Sequence, residues 1–312
     1  MSTNTALKPT PRGDEHWTKN GDAELFLWRK APEAGAKGAS IPGTVLFVHG
    51  SSMASQPTFD LQVPGRPYSS AMDYFVDKGF ETWTVDLRGY GRSDKRPGTQ
   101  ATIAEGAEDL TAATDYIMNE TGATDFLVYG ISSGALRAAT FAQNHPERVK
   151  RLALDAFVWT GEGSHTLDNR RKKLPDFPVG GRRPIDKAFV YSIFNRDHPG
   201  TAEDKVIEAF ADAITSLDDS MPNGTYIDMC TRLPLIDPAK ITVPTLVMRG
   251  EYDGIAGFDD LIEFFKKLPN SDKQFAVMPG ISHASFQQKN YMLVYHILHA
   301  FFTQPEPLYR GE

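Results

Sequence analysis

Ser132 stands where an apolar run meets a helical pattern, in "DFLVYGISSGALRAATF" from Asp125 to Phe141. Gly130 and Gly134 flank it in the order Gly-x-Ser-x-Gly. A turn with no further task is more naturally built from Asn-Gly, Pro-Gly or Asp-Gly. The two glycines allow a sharp strand-to-helix turn and a close pass of sheet and helix. Such a turn lifts the serine hydroxyl above the strand ends, near the positive end of the following helix, where negative charge is favoured. The chemistry on offer is nucleophilic attack, and a serine hydroxyl needs a base before it can attack.

The candidate base is His283, in "VMPGISHASF", in the loop between the last strand-like run and the final helical stretch. An imidazole doing this work needs a carboxylate to fix its tautomer and to stabilise its charged form. Asp253, in "VMRGEYDGIA", lies just past a strand-like run and about thirty residues before His283. Its rivals are Asp155, at the end of "LALDAF", and Glu251. The other histidines are less well placed: His145 ends a helical run, His296 and His299 fall inside one, and His165 and His198 belong to a region rich in helical pieces. A tetrahedral oxyanion needs preorganised N–H donors. One is the backbone N–H of Ser133; the other comes from "VHGSSMAS", with Ser51 the first choice and Ser52 the second. His49 is read as a prop for that loop.

These residues must be positioned by the elements around them. "TVLFVHG", "ETWTVDLRG", "DFLVYGIS", "VKRLALDAFV", "PTLVMRGEYD" and "KQFAVMPG" are short apolar runs, as expected of strands buried on both faces. Helical patterns separate most of them, at about 68–78, 103–120, 135–144, 258–268 and 285–302. The alternation predicts an α/β fold, a mostly parallel twisted sheet with helices on both faces, whose reactive groups gather at the strands' carboxyl ends. "HWTKNGDAELFLWRK" adds a hairpin turning at Asn20-Gly21.

The expected organisation is a loose arm over 1–16, a core over 17–159 and 236–304, and a tail over 305–312. Between the core segments, 160–235 has helical pieces and no convincing strand, and is expected to form a helical lid. Met53, Phe157, Trp159, Phe189, Tyr191 and Phe194 are candidate substrate contacts, with Tyr226 in the same aromatic group. Packing of the lid onto the core is the competing reading of those aromatics. The basic run "NRRKKL" and Arg182-Arg183 are read as solvated surface, with steering of an anionic substrate as the alternative.

A net charge of -7 argues against nucleic acid or an anionic membrane as partner. Cys230 is the only cysteine, which leaves no disulfide framework and no thiolate cluster. No apolar run reaches the roughly 20 residues of a membrane span. The expected protein is cytoplasmic, needs no metal or organic cofactor, and takes a small, partly apolar substrate; homo-oligomerisation is left open.

Taken together, "HGSS", "DLRGYGRSD", "GISSG", "RGEYD" and "GISHAS" resemble the α/β-hydrolase family, over about Val45 to Phe302. The resemblance implies two-step acyl transfer by Ser132, His283 and Asp253, on an ester or lactone. It also implies that "DLRGYGRSD" is a structural turn, with Asp86, Arg88 and Ser93 holding it. A serine at the elbow disfavours the members that use an aspartate nucleophile, the haloalkane dehalogenases and epoxide hydrolases. The absence of His-Gly-Gly-Gly disfavours the hormone-sensitive-lipase-like esterases. Amide or carbon-carbon bond hydrolysis, a lyase or cofactor-free oxygenase on the same residues, and a non-catalytic ligand-binding protein of this fold stand as alternatives.

Overall fold

Apolar residues at consecutive positions cannot all face one side of a strand, so each such run needs cover on both faces. The computed structural model, which describes residues 12–33 and 42–309, provides it. The chain runs through β1 (Asp14–Asn20), β2 (Ala23–Lys30), β3 (Thr44–Val48), α1 (Ser55–Phe59), α2 (Ala71–Asp77) and β4 (Glu81–Asp86). Next come α3 (Ile103–Thr121), β5 (Phe126–Ile131), α4 (Ser133–Asn144) and β6 (Val149–Asp155). The middle segment holds α5 (His165–Lys172), β7 (Arg182–Pro184), α6 (Lys187–Asn195), α7 (Asp204–Thr215), β8 (Ser220–Pro222) and α8 (Gly224–Thr231). The chain finishes with β9 (Thr245–Gly250), α9 (Phe258–Lys267), β10 (Lys273–Met278) and α10 (Tyr291–Phe302).

Eight strands form one sheet in the order β1-β2-β4-β3-β5-β6-β9-β10. Pairing is parallel from β4 to β10, and the β1–β2 hairpin adds an antiparallel edge on β4. Alternate residues of the central strands feed two separate cores. Leu46, Val48 and Val128 pack with Leu110 of α3, Leu136 of α4 and Phe264 of α9. Val45, Phe47, Leu127 and Tyr129 pack with Phe75 of α2 and Val294 and Phe301 of α10. Each such side chain contributes about 1.5–3 kcal/mol when fully buried. The Thr102/Glu105 capping box fixes where α3 begins, and left-handed Gly122 ends it.

Four expectations need correction. The hairpin turns on Gly21-Asp22, because Asn20 pairs with Ala23 as the last rung of the ladder. Strand β1 starts at Asp14, so the arm expected over 1–16 stops short of it; residues 1–11, most of the linker after β2 (34–41) and 310–312 lie outside the described residues. The segment 160–235 does contain strand: β7 pairs antiparallel with β8 across more than thirty residues. Finally, the helix expected over 285–302 is broken. A 3-10 turn spans Ser285–Gln287, and α10 begins only at Tyr291. Gln288 is extended instead and bridges to Ala202 of the middle segment, while the Lys289 N–H donates to the Thr201 carbonyl.

Candidate active site

Strand β5 delivers Ser132 into a backbone conformation that serine rarely adopts, φ 58° and ψ -127°. A position of this kind costs about 1–3 kcal/mol and persists only where its surroundings enforce it. Here they do so through backbone contact. The Ser132 N–H donates to the Asp155 carbonyl of β6 at 2.9 Å. A Cβ on Gly130 would lie 2.5 Å from the Gly134 carbonyl oxygen. A Cβ on Gly134 would lie 2.5 Å from that of His49 and closer still to that of Val48. Both glycines are therefore required by close approach. Ser132 itself retains 8% exposure, so its hydroxyl is sheltered yet reachable.

The loops after β9 and β10 are knitted together, with the Glu251 N–H on the Met278 carbonyl and the Tyr252 N–H on that of Ile281. They bring Asp253 and His283 to Ser132. His283 Nε2 lies 3.0 Å from Ser132 Oγ, and its Nδ1 lies 3.1 and 3.0 Å from the two carboxylate oxygens of Asp253. Burial opposes ionisation of Asp253, but the charge and hydrogen bond of His283 and the Ile255 N–H outweigh it, holding the carboxyl down to about 2. An ionised carboxylate only accepts. Nδ1 must therefore carry the proton shared with Asp253, leaving Nε2 to face the serine.

Neither rival carboxylate touches the imidazole. Glu251 accepts from the Gly280 N–H and steadies the loop. Asp155 is fully buried and accepts from the Tyr129 hydroxyl at 2.6 Å. Burial raises it from the usual 3.8 to about 7, with the Asp253 charge adding to the rise and hydrogen bonds only partly opposing it. A carboxyl that keeps its proton in the folded chain up to about pH 7, but loses it near 3.8 when unfolded, binds more protons in the native state across that window. Stability therefore falls as pH rises from 4 to 7 and levels off above. Asp155→Asn abolishes that slope, so the melting temperature of the variant relative to the parent is expected to be higher at pH 8 than at pH 4.5. Equal differences at the two pH values would remove Asp155 as the cause.

The loop after β3 lies directly over the serine: a Cβ on Gly50 would lie 3.7 Å from Ser132 Oγ. Ser51 Oγ donates to Ser133 Oγ at 2.7 Å, tying the loop to the first turn of α4, whose leading N–H groups have no intrahelical partner. His49 accepts the Leu87 N–H at Nε2 and faces the Gly50 carbonyl through Nδ1 at 2.8 Å. Burial, reinforced by the Arg137 charge, lowers it to about 3, so it is a neutral prop. Arg183 of β7 reaches over the loop and donates to the Ser51 carbonyl at 2.6 Å, the Ser52 hydroxyl at 3.1 Å and the Pro222 carbonyl at 2.5 Å. Ser52 is thereby engaged through its side chain.

Above Ser132 is a cavity with about 20 Å³ of free space, room for about one water molecule. Ser51, Ser52, Met53 and His283 line it from the core; Arg170, Phe189, Ile193, Arg196 and Tyr226 line it from the middle segment. Of the expected substrate contacts, Met53 and Phe189 are present. The other four are turned elsewhere. Phe157 packs on Phe264, with ring centroids 4.7 Å apart. Trp159 donates to the Ile236 carbonyl, Phe194 packs on Phe210, and the Tyr191 hydroxyl bonds Glu208 on the outer surface.

The basic residues also depart from expectation. Arg182 and Arg183 are engaged with backbone carbonyls, not solvated. Arg170 enters the cavity, as does Arg196, which composition did not single out. A signal existed for Arg170: it follows the buried Thr166 and Leu167 by four and three residues, which puts it on the inward face of α5. Among the remaining histidines, His198 stacks on Tyr252 at 3.9 Å, and His299 packs against Phe80. Asp86 accepts from Ser55 and from the Arg92 N–H, and Arg88 pairs with Asp109, so "DLRGYGRSD" is held as a turn. Among the described residues, no cluster of three or more His, Cys, Asp or Glu is placed to hold a metal ion, and no helix is long and apolar enough to cross a membrane.

Comparison with known proteins gives a consistent result. A family model described as serine aminopeptidase, S33, matches residues 42–290. The AB hydrolase superfamily protein YisY of Bacillus subtilis is 25% identical over 259 residues, covering 78% of this chain and 86% of YisY. A thermophilic esterase from Thermogutta terrifontis superposes with a TM-score of 0.65 at 22% identity, over 94% of this chain and 100% of the esterase. A soluble variant of monoglyceride lipase from Saccharomyces cerevisiae gives 0.69 at 16%, over 95% and 96%. Proline iminopeptidase from Mycobacterium smegmatis gives 0.62 at 18%, over 93% and 99%. At these identities the structures attest a common fold.

Proposed function

The chain belongs to the serine aminopeptidase S33 family of α/β-hydrolases, and from that premise we propose that it hydrolyses a carboxylic ester or lactone through an acyl-enzyme on Ser132. The observation that carries this reading is the unbroken run of contacts from Asp253 through His283 to Ser132 Oγ, none longer than 3.1 Å. Ser132 Oγ attacks the carbonyl carbon while His283 Nε2 takes its proton. The tetrahedral oxyanion is received by the N–H groups of Ser133 and Ser51. His283 then protonates the leaving oxygen as the carbon-oxygen bond breaks. Water, deprotonated by the same nitrogen, attacks the acyl-enzyme, and the acid departs as the serine regains its proton. The segment 160–235 acts as the cap that closes this site.

Peptide hydrolysis from a free amino terminus is the competing reading that the family and the iminopeptidase likeness bring forward. The cavity speaks against it. It is lined by Arg170 and Arg196 and, among the described residues, by no carboxylate that an α-ammonium group could use. The test combines labelling by a fluorophosphonate probe with turnover of p-nitrophenyl acetate and butyrate, followed by a panel of lactones and aminoacyl anilides. Labelling at Ser132, with ester turnover that His283→Ala abolishes, is the expected result. A protein that neither labels nor turns over any ester is a binding protein, and faster cleavage of aminoacyl anilides than of esters makes it a peptidase.

A further inference from the structure

Arg170 and Arg196 open into the same cavity as Ser132 and His283, yet their charges are balanced very differently. Arg196 pairs with Asp197 at 3.0 Å. Arg183, just behind the cavity, gives its hydrogen bonds to two carbonyls and a hydroxyl. Arg170 Nη1, by contrast, is buried with no hydrogen-bond partner. The Arg170 guanidinium sits 4.0 Å over the ring of Tyr226, and that of Arg183 sits over the same ring at 3.7 Å. A ring face attracts a cation but does not neutralise it. Asp253, the carboxylate of the site, is occupied by His283.

We propose that the substrate is an ester that also carries a carboxylate, and that Arg170, supported by Arg196, receives that carboxylate beside Ser132. A guanidinium is held in a planar fork that matches a carboxylate, and its five donors need acceptors when water is removed. Stacking on Tyr226 fixes the Arg170 plane in advance, so little side-chain freedom is lost when an anion arrives. The balance of donors favours a single carboxylate. Arg196 is already paired, and Arg183 spends its N–H groups on neutral acceptors behind the cavity, so one open fork remains, that of Arg170, which one carboxylate fills. Among the described residues, the Cys230 thiol offers Arg170 little, and the principal group able to answer it is the Tyr226 hydroxyl. Burial opposes its ionisation, but Arg170 and Arg183 overcome that and bring it down to about 7. An incoming carboxylate supplies the same negative charge without ionising a buried phenol.

The proposal rests on the ester-hydrolase reading, and its test separates the two. Mono-p-nitrophenyl adipate and p-nitrophenyl hexanoate share chain length and leaving group and differ in one terminal carboxylate; 4-carboxyphenyl butyrate and phenyl butyrate place that difference on the leaving side. In at least one pair the anionic ester is expected to have the higher kcat/KM, by about tenfold or more. Arg170→Gln is expected to lower that anionic-over-neutral ratio about tenfold, chiefly through KM, with Arg170→Lys restoring part of it. A ratio below one for both pairs, or one that Arg170→Gln leaves unchanged, overturns the proposal. Should Arg170→Gln not fold, Arg196→Gln and competition in the parent carry the test. Adipate should compete with p-nitrophenyl hexanoate, and stronger competition by inorganic phosphate refutes the carboxylate assignment. Calorimetric titration of Ser132→Ala with adipate reads the anion site without turnover. Adipate bound while no ester is cleaved sinks the hydrolase reading alone, whereas esters cleaved with no adipate binding sinks the anion site alone.

Discussion

Ser132→Ala is expected to lower ester hydrolysis by about four to six orders of magnitude while leaving the fold intact. In the proposed mechanism the hydroxyl oxygen forms the acyl bond, and no neighbour replaces it: Ser133 Oγ is tied to Ser51, and Ser52 Oγ to Arg183. Stability is expected to stay within about 1 kcal/mol, because the elbow is held by backbone contacts at Gly130 and Gly134 rather than by the serine side chain. Adding His283→Ala to this variant should cost little more, since a base has nothing to do without its nucleophile. Kinetics with p-nitrophenyl butyrate, together with denaturant melts of the single and double variants, decide the matter. A further loss of comparable size in the double variant means that the two residues act independently.

The second large effect belongs to Asp253. Asp253→Asn preserves shape but presents an amide that donates to His283 Nδ1. That turns the Nε2–H toward Ser132 and removes the lone pair that accepts its proton. The expected loss in kcat is about 10⁴-fold. Asp155→Asn should cost less than about tenfold, because the Asp155 carboxyl contacts the Tyr129 hydroxyl and not the imidazole. Their environments separate the two carboxyls: Asp253 is held down to about 2 and Asp155 is raised to about 7. Near neutral pH only the first is a dependable negative charge. If Asp155→Asn is the more damaging change, the acid has been misassigned.

Much of this site is written locally in the chain. The strands were legible because a parallel sheet buries both faces, which leaves uninterrupted apolar runs such as "TVLFV" in β3. Ser132, Asp253 and His283 were legible because each follows such a run, and the carboxyl ends of neighbouring parallel strands necessarily meet. The cavity wall was not, since it depends on which way each helix of the middle segment faces. Phe189 and Phe194 lie on one helix, five residues apart; the first looks into the cavity and the second into the packing against α7. Strands β7 and β8 carry three residues each and exist only because they find one another across a long separation. No local pattern encodes a pairing that short.

Arg183 is one of several ties between the middle segment and the core, and it is the one that reaches the loop over Ser132. Its guanidinium grips the Ser51 carbonyl and the Ser52 hydroxyl from a strand that belongs to the middle segment. About 20 Å³ is free above Ser132, and if the proposed ester enters by displacing that segment, the movement loads those bonds. The Ser51–Ser133 bond would then be left to hold the loop. On that reading, acyl transfer and the exclusion of bulk water share one movement, and a half-seated molecule meets a slack, unready pocket.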